Sequence, residues 1–260
     1  AFEKAKKVFV VPFALYDSVF QNNYKHIFSM CYSEKFIGKI LYNAIKDKEP
    51  GRWAVCVGDG EFERYEASSF MSYANDTSVE IVDCVSHVDL RTRFNEVYDR
   101  WETLGVNGAI ILQKEEQSFD VLKKIKTRNP NMLIAGDTSF DNSTMINANE
   151  ELRKMVNGLI MVDEFEIFNP TKETEERVEN LAKDLYEKNG KDLDTWYFQG
   201  YNAVRMVADT AIKNNTLSAK TISDKLHENG YQGLLQEFKF NADGVIKETK
   251  DVFNIYGADG

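Results

Sequence analysis

Five short apolar runs recur at nearly even spacing through the middle of this chain: Trp53–Val57, Val79–Val85, Ala109–Leu112, Met132–Ala135 and Gly158–Val162. Their central residues, Val55, Ile81, Ile110, Ile134 and Ile160, stand 26, 29, 24 and 26 residues apart, and each gap holds a polar stretch with helical periodicity. Parallel neighbours cannot be joined by a tight turn, so this rhythm predicts a parallel sheet with crossover helices. Sheets of that kind bind ligands at the loops leaving the carboxyl ends of their strands.

The flanking segments are less regular. Ala1–Lys6 reads as the tail of a helix, and Val8–Val11 as a strand closed by Pro12. A second extended segment is expected over Tyr24–Met30. Ser33 then caps a helix through Lys48, with Phe36, Ile37, Ile40, Leu41, Ala44 and Ile45 on one face. Helices are expected at Arg64–Ala74, Asp89–Leu104, Phe119–Arg128 and Glu150–Val156. Beyond Val162 come three more, over Pro170–Lys188, Thr195–Lys213 and from Ser218 to Glu228, and then strands at Phe238–Phe240 and Val252–Tyr256. A parallel sheet is buried on both faces. The first strand and the three late helices therefore read as part of a second lobe, incompletely represented.

Composition excludes several classes. A net charge of −10 argues against a nucleic-acid surface, which needs an excess of Lys and Arg. No segment approaches the roughly 18 uninterrupted apolar residues of a membrane span. The N-terminus does not read as a signal peptide, although a mature exported chain would look the same. Cys31, Cys56 and Cys84 have no metal-ligand spacing, and His26, His87 and His227 form no HxxxH pattern, so no metal site is expected. Cys56 and Cys84 lie in expected strands and read as buried structural thiols. No cofactor is implied: Gly58-Asp59-Gly60 does not extend to GxGxxG, since Glu63 holds the third glycine's place.

Several motifs together resemble the type I periplasmic binding proteins, specifically the branched-chain amino-acid class of ABC-transporter substrate-binding proteins. They are Val8–Leu15, with its strand-then-Pro pattern; His26-Ile27-Phe28 followed by Ser33 and Gly38; Asp89–Phe94; Gly200–Val204; and Gly230–Gly233 with Phe240–Gly244. The resemblance spans nearly the whole chain but begins about a third of the way into the family pattern. It implies an α/β fold of two Rossmann-like lobes with parallel sheets, the first lobe incomplete, closing over a ligand. Lobe one would comprise 1–30 and 165–240, and lobe two 31–164 and 241–260, with crossings near Met30, Glu164 and Asn241–Val245. It also implies an extracytoplasmic protein, periplasmic or membrane-anchored outside the cell, with a membrane permease as partner, no nucleic acid and no catalysis.

An amino-acid ligand brings a carboxylate, suited to N–H groups and hydroxyls, and an ammonium, suited to an acid flanked by acceptors or aromatics. By the resemblance, Asp137 in Gly136-Asp137-Thr138-Ser139 stands at the ammonium-binding position, with Thr138 beside it. Phe62 matches an aromatic that covers the ligand. Lys114 sits near another aromatic position, and Leu15 replaces a pocket Thr next to Ala14; Tyr201, with Tyr16 and Tyr197, could line the cleft or equally be an exposed or core tyrosine. Asp137 or Thr138 could equally be a turn cap, and Phe62 a packing residue. Two other readings stay open. One is an α/β enzyme using strand-end acids such as Glu115, Glu116, Asp163 and Glu164, or Cys84 with Ser86 and His87. The other is a degenerate relative serving as scaffold or sensor.

Overall fold

A computed structural model describes residues 3–13, 20, 24–48, 51–74, 79–162, 172–190, 195–234, 236–247 and 253–255. Within them run the strands β1 (Phe9–Val11), β2 (Ile27–Ser29), β3 (Arg52–Val57), β4 (Glu80–Ser86), β5 (Gly108–Leu112), β6 (Leu133–Gly136), β7 (Ile160–Val162), β8 (Tyr231–Gln232), β9 (Glu237–Phe238) and β10 (Phe253–Ile255). The chain divides into two compact units, 1–33 with 165–249 and 34–164 with 250–260.

In the first unit β1 and β2 pair in parallel, Phe9 opposite Ile27. Helices Lys172–Asn189, Thr195–Lys213 and Ala219–Asn229 follow, and β8 and β9 form an antiparallel pair. Residues 241–247 return to β2, where the Ser29 N–H donates to the Gly244 carbonyl (2.9 Å). Gly244 adopts φ 83°, and a Cβ there would lie 1.8 Å from the Ile27 carbonyl oxygen, so only glycine fits this approach. The Phe28 ring packs edge-on against Phe240 and tilted against His227. The turn over residues 3–6 replaces the helix tail expected at Ala1–Lys6.

The second unit holds a six-stranded sheet in the order β10-β7-β6-β5-β3-β4, with β3 to β7 parallel and β10 antiparallel on the edge. All five apolar runs of the sequence are these parallel strands. One face packs Ala54, Cys56, Ala109, Ile111 and Ile134 against Trp101, Leu122, Ile125 and Leu152. The alternate residues, Trp53, Val55, Ile110 and Ile160, are also buried, as a doubly covered parallel sheet requires. Helices Glu34–Ile45 and Glu61–Ala74 belong to that second face and lie very close together. A Cβ on Gly38 would meet the Phe70 backbone nitrogen at 2.6 Å.

Two helix expectations shift. The expected helix Asp89–Leu104 is two, His87–Thr92 and Phe94–Leu104, broken at Arg93 (φ −135°, ψ 36°). Thr92 Oγ1 donates back to the Val88 carbonyl (2.7 Å), a bond that bends helices. The helix expected from Arg64 starts at Glu61, where Glu61 and Glu63 suit the positive end of the helix dipole. Cys56 is buried, but Cys84, on the edge strand β4, is exposed, which corrects the reading of it as a core thiol.

Candidate functional site

In the second unit the chain passes from β3 outward to β4 and then crosses back to β5 on the other side of β3. This reversal makes the carboxyl ends of β3 and β5 the natural ligand crevice of the sheet. Three loops leave that edge side by side: Gly58–Gly60 after β3, Gln113–Lys114 after β5 and Asp137–Phe140 after β6.

The loops are fixed by glycines and by buried polar groups. The Gly58 N–H donates to the Leu112 carbonyl (2.8 Å), and a Cβ on Gly60 would strike the Glu63 carboxylate. A Cβ on Gly136 would lie 2.7 Å from the Ile111 carbonyl, so β6 approaches β5 closely before the chain turns at Asp137. Asp137 caps a single turn of 3-10 helix, Thr138–Phe140, its Oδ1 accepting the Ser139 N–H (3.0 Å). The Ser139 hydroxyl meets Ser118 Oγ (2.8 Å), which in turn donates to the Gln113 carbonyl (3.1 Å). His87 Nδ1–H donates to Gln113 Oε1 (3.3 Å), reaching from the end of β4 across β3.

Asp137 is 4% exposed and Gln113 1% exposed. Burial is the main influence on Asp137 and pushes its carboxyl above the usual range; hydrogen bonding from Ser139 pulls it partly back. Asp137 has no ion pair among the described residues. Among the described residues the buried Gln113 amide nitrogen has no hydrogen-bond partner.

Of the residues singled out by sequence, Asp137, Thr138, Phe62 and Lys114 all belong to these loops or the first turn of the helix that follows. Thr138 and Phe62 are half-buried, and Lys114 is exposed at the start of helix Glu115–Arg128. Tyr201 lies in the first unit, on helix Thr195–Lys213. Ala14, Leu15, Tyr16, Asp163 and Glu164 fall outside the described residues. Glu66, Gln113 and Ser118 were missed. Glu66 shares the inward face of its helix with Glu63, Ala67 and Phe70, so an acid at a core position was the available signal.

The catalytic arrangements weighed from sequence take other forms. Ser86 caps its helix by accepting the Asp89 N–H (3.2 Å), and His87 bonds Gln113 rather than Cys84. Burial and the neighbouring Asp83 raise the Cys84 thiol, which disfavours the reactive thiolate. Glu115 and Glu116 occupy the first turn of their helix. Among the described residues no three His, Cys, Asp or Glu side chains gather as a metal site, and no helix is long and apolar enough to cross a membrane.

No protein-family model matches the sequence, and no curated protein matches it. Solved structures do match. An ABC-transporter substrate-binding protein from Desulfitobacterium hafniense superposes with TM-score 0.70 at 20% identity, over 95% of this chain and 70% of that one. The branched-chain amino acid transporter substrate-binding protein LivJ from Streptococcus pneumoniae, in complex with isoleucine, gives 0.67 at 17% identity, over 94% and 68%. A solute-binding protein from R. palustris, in complex with benzoate, gives 0.71 at 13% identity, over 94% and 66%. The chain thus spans about two thirds of the length of these neighbours, and its α/β architecture is the type I periplasmic-binding-protein fold.

Proposed function

We propose that this protein is an extracytoplasmic solute-binding protein of the ABC-transporter class, holding an amino acid or similar small polar ligand and performing no chemistry. Its two compact units are, on this reading, the two lobes of such a protein, and its partner is a membrane permease. The observation that carries the reading is Asp137: a buried carboxyl with no counter-ion among the described residues, held at the carboxyl edge of a parallel sheet by the Ser139 N–H. A buried acid of this kind is costly unless something cationic pairs with it. An ammonium group is that partner.

The solved neighbours bind different solutes: the Desulfitobacterium protein has been seen with leucine, the R. palustris protein with benzoate. Benzoate has no ammonium to place, so the acid at position 137 favours an amine-bearing ligand here. Phe62, half-buried in the first turn after the Gly58–Gly60 loop, supplies an apolar and aromatic contact, and Thr138 a hydroxyl. Tyr201, Ala14 and Leu15 complete the proposed set. The exposure of Lys114 leaves its charge to solvent, which removes the repulsion expected from a lysine facing the same ammonium.

A thermal-shift screen of the standard amino acids and benzoate, followed by calorimetry and a magnesium-dependent phosphoester assay, tests this. Saturable binding of an amine-bearing solute without turnover is expected. Metal-dependent hydrolysis, or preference for benzoate over every amine, would contradict it.

A further inference from the structure

Gln113 is fixed at each of its polar groups but one. A Cβ on Gly58 would lie 3.2 Å from the Gln113 Cα, so the loop after β3 presses on it. The Gln113 carbonyl accepts the Ser118 hydroxyl, and Oε1 accepts His87 Nδ1–H. What is left is the Nε2 amide: two N–H donors on a side chain 1% exposed, with no acceptor among the described residues. Unpaired buried donors are costly, so such a group marks a place that a further molecule completes.

These donors stand at the start of helix Glu115–Arg128, which is 14 residues long. Its N-cap, Lys114, has no oxygen to offer and makes no side-chain cap bond, whereas Ser86, Asn142, Asn149 and Ser218 cap their helices. The positive end of the helix therefore lies uncapped beside the Gln113 amide. Of the acids in its first turn, Glu115 accepts the Asn142 amide and Glu116 is exposed.

Toward Asp137 the polarity reverses. Ser118 spends its only proton on the Gln113 carbonyl, so Ser139 must donate the bond between the two hydroxyls (2.8 Å), and Ser139 Oγ then presents lone pairs alone. Asp137 Oδ1 is bound to the N–H of the same Ser139. Gln117 Oε1, also buried without a partner among the described residues, is a further acceptor. Donors thus follow β5 and acceptors follow its parallel neighbour β6.

Resting on the proposed solute-binding role of Asp137, we propose that the Gln113 amide and the N-terminus of helix Glu115–Arg128 receive the carboxylate of an α-amino acid whose ammonium lies at Asp137. Neighbouring strands stand about 4.8 Å apart, a separation that an α-amino acid with a hydrogen bond at each end can bridge. Because His87 occupies Oε1, the amide keeps its N–H side for the ligand. The site then reads two charges of opposite sign, and the solute narrows from any amine to a zwitterion.

Calorimetry of the full chain with paired probes tests this: leucine and isopentylamine, lysine and cadaverine, glutamate and γ-aminobutyrate. The second of each pair lacks only the α-carboxylate. At least one amino acid should bind about 30-fold or more tightly than its decarboxylated partner. In Gln113→Leu that preference should shrink about tenfold or more, with the affinity for the amine unchanged; a packing defect alone would weaken both alike. Gln113→Glu, of the same shape, should weaken the amino acid further and spare the amine. An amine bound as tightly as its amino acid by the unmodified protein overturns the carboxylate site while leaving the amine-binding reading of Asp137 intact. A preference that survives Gln113→Leu unchanged, the result expected if Gln113 and Gln117 satisfy each other, does the same. No binding of any probe, by heat or by thermal shift, overturns the solute reading and the carboxylate site with it.

Discussion

The hydroxyls of Ser118 and Ser139 meet at 2.8 Å, tying the helix after β5 to the turn that carries Asp137. Ser118 is fully buried and also donates to the Gln113 carbonyl. Ser118→Ala therefore leaves two oxygen partners without their bond and should cost about 1–3 kcal/mol. Urea denaturation of the variant measures the loss. A stability equal to that of the unmodified protein would show that the tie is not made in solution.

Burial raises the Asp137 carboxyl, and the sign of its effect on stability follows. The folded state holds this proton more tightly than the unfolded chain. The favourable contribution is therefore complete below the ordinary aspartate range and is lost as pH rises through the folded value. Asp137→Asn keeps the shape and removes the ionisation, so it should stabilise the protein at neutral pH more than at pH 4. Denaturant midpoints of both proteins at the two pH values check this. Equal destabilisation at both would contradict the burial argument.

Gly38 gives a substitution of unusual sign. Gly→Ala inside a helix ordinarily stabilises by up to about 1 kcal/mol. Here the new methyl would meet Ser69 Oγ and the Phe70 backbone nitrogen at 2.4 and 2.6 Å. Forcing the two helices apart should cost about 1–3 kcal/mol instead. Thermal unfolding of Gly38→Ala decides between the two signs.

Asp83 Oδ2 accepts both the Trp101 indole N–H (2.8 Å) and an Arg100 N–H (2.6 Å). Trp101 is fully buried, so Asp83→Ala orphans its donor and should cost about 1–3 kcal/mol. Asp83→Asn keeps an acceptor and should lose less. Comparable losses in the two variants would show that the indole bond does not matter.

In the first unit, Asn202 grips one backbone residue twice, accepting the Leu234 N–H (2.9 Å) and donating to the Leu234 carbonyl (3.2 Å). Asn202→Asp cannot make the second bond and buries a charge. It should destabilise the fold more at neutral than at acid pH, a difference that denaturant titrations at both pH values would register.

The strands of the second unit were legible because a doubly covered parallel sheet demands uninterrupted apolar runs, and Trp53–Val57 and Ala109–Leu112 can hardly be anything else. The antiparallel addition of β10 to β7 was not, since strand direction leaves no mark in a three-residue segment. The break at Arg93 was hidden because Thr92 and Arg93 are ordinary helix residues by composition. Asp137 could be proposed from the family resemblance, together with its place after the fourth apolar run. Glu66 was passed over, because a glutamate on a charged helix reads as solvent-facing even where its spacing puts it on the face of Ala67 and Phe70. Gln113 was masked by the charge of its neighbour Lys114.

Titration of leucine, glutamate and lysine into the unmodified protein and into Asp137→Asn by calorimetry tests the central claim most directly. The account predicts saturable binding of at least one of them, weakened at least about 30-fold in the variant, the loss expected when a buried charge partner is removed. The variant should keep a cooperative unfolding curve. Equal affinity in both proteins would contradict the claim that Asp137 receives the ligand.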